Sequence, residues 1–155
     1  MLDEGMAAPE WSLPGDGGRT VSSKGKGGAT VLFLYPKDDT SGCTKEAIAF
    51  SELVPEFEAL GVEVVGLSPD PPARHDRFVA KHDLKVPLAS DEGKGVLEAF
   101  GAWKEKSMYG KTYMGVERST FLIGADGRVL RAWRKVKVPG HAEAVLAAAR
   151  ELLSG

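Results

Sequence analysis

The 155-residue chain predicts an α/β domain, with a mixed central β-sheet flanked by helices and a hairpin near its N-terminal end. Three observations carry this expectation. Apolar runs of strand length alternate with stretches of helical spacing. An Asp126-Gly127 turn signal then joins two late strands. An amphipathic helix closes the chain. Strand–helix–strand order asks for parallel pairing and a tight hairpin for antiparallel pairing, so the sheet should be mixed. The length suits a single domain over 1–155, which can bury about 70 % of its unfolded surface.

In order along the chain, Pro9 to Ser23 pairs two short strand-like pieces around Pro14-Gly15-Asp16-Gly17-Gly18, a hairpin signal. Ser22 to Gly28 reads as a short flexible loop. Thr30 to Tyr35 (TVLFLY) is a buried strand. Thr44 to Leu60 follows as a helix whose apolar positions Ala47, Phe50, Val54, Phe57 and Leu60 recur every three or four residues. Pro55 should kink it, because proline deletes a backbone hydrogen bond, and Gly61 ends it. Val62 to Ser68 is a second buried strand. Pro71 and Pro72 start a helix running to about His82, with Phe78 and Val79 inward. A short strand near Val86 to Ala89, a small helix from Gly95 to Phe100, strands Ser119 to Gly124 and Val129 to Val138, and a helix His141 to Leu153 complete the series.

The net charge of −2 and the dispersed lysines and arginines give no footprint for nucleic acid or an anionic membrane. One cysteine excludes an intramolecular disulfide and a cysteine-rich zinc site. The start MLDEGMAAPEW has neither a basic region nor an apolar segment, so a signal peptide is not expected. No apolar run reaches bilayer length. A cytoplasmic protein is the expectation.

That one cysteine, Cys43, lies between the strand Thr30 to Tyr35 and the helix after it, in the helix's first turn. Unpaired N–H groups and the positive end of the helix dipole favour thiolate over thiol there. A small buried core residue is the plainer reading. Around it stand Pro36, a strand terminator or a rigid apolar wall, and Thr40, a helix N-cap or a hydroxyl beside the sulfur. Arg118 opens a distant strand; it is either a solvated strand-end side chain or a fixed charge placed against the thiol. Glu46, one turn beyond Cys43, is either a solvated first-turn carboxylate or a support for the arginine.

The spacing Pro36-x-x-x-Thr40-x-x-Cys43 resembles the active-site motif of the peroxiredoxins. The likeness is closest to the bacterioferritin-comigratory-protein branch, the PrxQ type. It extends from Ala8-Pro9-Glu10-Trp11 to the last helix, through YPKDDTSGCTKEA (Tyr35 to Ala47), GLSPD (Gly66 to Asp70), LASDEGK (Leu88 to Lys94) and FGAWKEKSMYGKTYMGVERSTFLI (Phe100 to Ile123). It implies a thioredoxin-like fold and a peroxidase that uses no metal, haem or flavin. Cys43 would be the nucleophile, Thr40 a hydrogen-bonding partner of the bound peroxide, and Pro36 a shield. Arg118 would be the cation that stabilises the thiolate and polarises the O–O bond. Many members of the branch carry a second cysteine five residues after the first; here that position is Ile48. The resemblance therefore implies a one-cysteine cycle, through sulfenic acid and an external thiol such as thioredoxin, glutaredoxin with glutathione, or a small thiol. It also implies a monomer or weak homodimer. The competing class is a binding or redox-sensing protein on the same fold that has lost turnover with its second cysteine.

Other signals carry less. Gly110-Lys111-Thr112 lacks the upstream glycine of a phosphate-binding loop, because Glu105 stands there. Lys24-Gly25-Lys26-Gly27-Gly28 precedes a strand instead of opening a helix. His75, His82 and His141 are scattered and read as surface residues rather than metal ligands. Trp11, Trp103 and Trp133 read as packing residues, since no basic aromatic stripe accompanies them.

Overall fold

Alternate residues of one central strand feed two separate cores, and that arrangement organises the molecule. The structure, a computed structural model, describes residues 2–23 and 27–153; Lys24, Gly25 and Lys26, the middle of the expected Ser22–Gly28 loop, lie outside it. The strand is β3 (Ala29–Leu34). Its Val31 and Phe33 face a cluster with Phe50, Phe57, Phe78, Leu122 and Val145. Leu32 and Leu34 face the other side, with Val65, Leu67, Leu97, Phe100 and Phe121. A strand buried on both faces reads as a continuous apolar run rather than an alternating one, as Thr30 to Tyr35 does.

Before it, β1 (Ser12–Pro14) and β2 (Thr20–Ser22) form an antiparallel hairpin. Asp16, in the turn between them, accepts the backbone N–H of Leu88 at 2.9 Å and ties the hairpin to the sheet. After β3 come α1 (Ser41–Ala59), β4 (Val62–Ser68), α2 (Pro72–His82), β5 (Leu88–Ser90) and α3 (Gly95–Ala99). The chain continues through β6 (Trp103–Met108), β7 (Lys111–Val116), β8 (Ser119–Ile123), β9 (Val129–Trp133) and α4 (His141–Leu153). The central sheet runs β5-β4-β3-β8-β9. β3 pairs in parallel with β4 and β4 with β5, whereas β3–β8 and β8–β9 are antiparallel. The mixed sheet follows from crossovers through α1 and α2, which bring each next strand back in parallel, and a tight turn at Asp126-Gly127.

Several boundaries differ from those the sequence suggests. α1 begins three residues earlier than Thr44, so Cys43 is its third residue, and it continues through Pro55 to Ala59. The last strand stops at Trp133, short of Val138. The β6–β7 hairpin has no counterpart in the sequence reading: it is largely polar and turns at Tyr109-Gly110, both with positive φ. Among the described residues, no helix is long and apolar enough to cross a membrane.

Candidate active site

The loop from Tyr35 to Thr40 carries the chain from the end of β3 into α1. Pro36 opens it, half-buried. Asp39 takes a left-handed conformation (φ 61°) that aspartate tolerates better than most residues, and Lys81 and His82 of α2 hold its carboxylate at 2.7 and 3.0 Å. Thr40 is the N-cap by position, with extended backbone, and its carbonyl takes the first helical bond from the N–H of Thr44. Its hydroxyl makes no cap bond; it donates to the Lys37 carbonyl at 2.9 Å. The side chain therefore bends back over the loop, with its oxygen lone pairs still able to accept. Cys43 follows, in the first turn and 2 % exposed.

Arg118 reaches this loop because of strand register. Leu34 of β3 pairs with Ser119 of β8, so the residue before Ser119 lies beside the start of the cysteine loop. The Arg118 carbonyl accepts the N–H of Val136 at 3.0 Å, which fixes its backbone. Its Nη2 donates to the Cys43 sulfur at 3.2 Å and its Nη1 to Glu46 Oε1 at 2.6 Å. Gly42 lies against the guanidinium: a Cβ there would stand 3.4 Å from Nη2, about van der Waals contact. Glu46, one helical turn from Cys43, is 1 % exposed, and its Oε2 has no partner. Burial raises the Glu46 carboxyl from its ordinary 4.5 to about 7, against the pull of Arg118. Burial opposes the charge on Arg118 too, but Glu46 and Cys43 outweigh it and hold the guanidinium above its ordinary value.

Cys43, Arg118 and Glu46 thus meet, with Thr40 and Pro36 on the loop leading into the same helix. The choice between a solvated and a supporting Glu46 resolves to the buried, paired form, which only tertiary packing reveals. Two histidines correct the expectation of surface positions. His75 is fully buried, with Nδ1 2.6 Å from Asp38 Oδ2 and Nε2 3.0 Å from the Ala89 carbonyl. His141 is buried against Phe50 and Trp133 with Nε2 2.8 Å from Thr120 Oγ1. Burial, with Arg118 nearby, lowers its pKa to about 4. No sequence signal separates these two from surface histidines, since each owes its burial to the sheet packed against it. Among the described residues, no group of three or more histidines, cysteines or carboxylates is gathered where it could hold a metal ion.

A lone buried thiol at a helix N-terminus, hydrogen-bonded by a guanidinium from a neighbouring strand, defines a cysteine-based redox site on an α/β sheet. Residues 5–132 match the AhpC/TSA family. Among curated relatives, the chain is 52 % identical to peroxiredoxin Bcp of Xanthomonas campestris, over 76 % of this chain and 74 % of that protein. It is 43 % identical to peroxiredoxin Bcp of Bacillus subtilis, over 97 % of both. A solved structure of the Xanthomonas campestris bacterioferritin comigratory protein, described for its alkyl peroxide reduction, superposes with a TM-score of 0.87 at 45 % identity, covering 91 % of this chain and 90 % of that one. The chain belongs to the AhpC/TSA family of thiol peroxidases, in the PrxQ-type branch of the peroxiredoxins. Its fold is the thioredoxin-like one that the resemblance implies.

Proposed function

We propose that Cys43 is the peroxidatic nucleophile of a one-cysteine cycle that reduces hydrogen peroxide and small organic hydroperoxides. The observation that carries this reading is the 3.2 Å contact from Arg118 Nη2 to the sulfur. A guanidinium within hydrogen-bond reach of the sulfur supplies a charge-assisted donor at the point where the peroxide must react. Sulfur attacks one peroxide oxygen in line with the O–O bond; the S–O bond forms as O–O breaks, and the departing oxygen takes a proton and leaves as water or an alcohol. Arg118, already at the sulfur, can extend a donor to the developing oxyanion. The Thr40 hydroxyl, which donates to Lys37, has acceptor capacity for the peroxide O–H. Pro36 offers no N–H and walls the loop.

Cys43 then stands as sulfenic acid. An external thiol displaces water to form a mixed disulfide, and a second thiol releases Cys43. Thioredoxin, glutaredoxin with glutathione and small thiols all fit that role. A cytoplasmic setting, where such thiols are kept reduced, suits the cycle. One domain over 1–155 acting as a monomer or weak homodimer suits it also, since both core clusters share one sheet. The cycle removes peroxide and so serves antioxidant defence.

The test is steady-state peroxide consumption with each reductant in turn, on wild type and Cys43→Ser. Serine keeps the volume but offers no usable anion, so the variant should fold and be inactive. Comparable activity in Cys43→Ser would sink the assignment. A wild type that consumes no peroxide with any reductant would favour the non-catalytic alternative.

A further inference from the structure

Every polar group of Asp38 is engaged, and its side chain is fully buried. Oδ1 accepts the Tyr35 hydroxyl at 2.5 Å, and Oδ2 lies 2.6 Å from His75 Nδ1. The backbone N–H donates to Asp70 Oδ2 at 2.8 Å, and the carbonyl accepts from Arg74 Nη2 at 3.5 Å. Asp70 is itself bonded by the Ser68 hydroxyl at 2.7 Å and paired with Arg74 at 3.3 Å. His75 is equally committed: Nδ1 faces Asp38 Oδ2 and Nε2 faces the Ala89 carbonyl. Desolvation by burial, reinforced by Asp38, raises the Tyr35 phenol well above its ordinary value, so it remains a donor.

A buried network of this kind is costly unless fully satisfied, and this one stands at the loop that leads into α1. Asp38 lies between Lys37, whose carbonyl takes the Thr40 hydroxyl, and Asp39, which α2 grips through Lys81 and His82. The tethers of this loop run to the end of β4, to Asp70 just after it, to α2, and through His75 to β5. We propose that Asp38 and His75, with Tyr35, are positioning residues for the peroxidase reaction: they clamp the loop to α2 so that the Thr40 hydroxyl is aimed at the bound peroxide. The inference rests on the peroxidase reading above. It adds that the clamp acts through Thr40 and not through the sulfur.

That division is measurable. Asp38→Asn, His75→Gln and Tyr35→Phe are each compared with wild type in two reactions of the reduced protein: the second-order rate with hydrogen peroxide, and alkylation of Cys43 by iodoacetamide, which has no use for Thr40. Misplacing a reacting group by about 1 Å costs up to about 100-fold. The peroxide rate should fall about 10- to 100-fold in Asp38→Asn and His75→Gln, and less in Tyr35→Phe, while alkylation stays at the wild-type rate. In a Thr40→Val background, Asp38→Asn should cause little further loss, because both changes disable one device. Tyr35→Phe removes a single hydroxyl and carries the test if the other variants fail to fold. Peroxide rates equal to wild type in the folded variants would overturn the inference. So would loss of both reactions together, or the full loss persisting in the Thr40→Val background. Absence of peroxide turnover in wild type would instead count against the peroxidase reading itself.

Discussion

Arg118 is asked to serve two partners at once. Its forked guanidinium spans the sulfur at 3.2 Å and Glu46 at 2.6 Å, a geometry that a lysine cannot reproduce with its single point charge. Arg118→Ala should therefore lower the second-order rate with peroxide by about 10²- to 10³-fold, measured by stopped flow. A loss smaller than about tenfold would mean that the peroxide is handled elsewhere. Glu46 gives a separate prediction in pH. Its folded pKa of about 7 exceeds the ordinary 4.5, so the native state holds this proton more tightly than the unfolded chain does. The stability it contributes is full below about 4.5 and is lost as pH rises to about 7. His141 runs the other way: lowered from 6.5 to about 4, it contributes stability above 6.5 that is lost as pH falls towards 4. Between 4.5 and 6.5 the two slopes oppose each other. Glu46→Gln should leave the His141 slope uncovered, so its melting temperature should climb with pH across that window more steeply than that of wild type. Parallel profiles would contradict the assignment of that slope to Glu46.

At the scale of elements, α1 carries the consequence of having Ile48 where a second cysteine could stand. Positions five apart on an α-helix have Cα atoms roughly 8.6 Å apart, beyond the reach of about 7 Å that a disulfide tolerates. A cysteine at 48 would therefore require the first turns to unwind whenever it bonded Cys43. Ile48 instead packs, half-buried, against the cluster that contains Cys43, Ala47 and Phe50. Oxidation by one equivalent of peroxide should accordingly leave the far-ultraviolet dichroism of wild type almost unchanged, while a sulfenate trap labels Cys43. A large loss of helicity on oxidation would show that α1 opens for another reason. The same sulfenic acid, with no internal thiol to capture it, should be open to over-oxidation when reductant is scarce.

For the whole molecule, what was legible in the sequence divides by range. Pro36, Thr40 and Cys43 lie on one continuous segment, and buried runs such as Val62 to Ser68 announce themselves locally, so the cysteine loop and most of the sheet can be read directly. Arg118 is tied to that loop only by the resemblance, because its approach depends on β3–β8 register. His75, His141 and the buried state of Glu46 are illegible for the same reason: nothing in the local sequence of a histidine or a glutamate reports what will be packed over it. The β6–β7 hairpin escapes notice because its strands are mostly exposed and its turn, with Tyr109 97 % exposed, lacks an Asn-Gly or Asp-Gly pair. The 75 positions separating Cys43 from Arg118 also impose an order of events when the chain refolds. Isolated helices form within about a microsecond, whereas pairing of distant strands takes milliseconds to seconds. A refolding chain can therefore possess α1 and its thiol well before β8 arrives with the guanidinium. Chains diluted from denaturant into peroxide should recover helical signal first and fast sulfur oxidation only with the slowest folding phase. The antiparallel pairing of β3 and β8 then acts as a checkpoint that keeps the thiol slow towards peroxide until the sheet is complete.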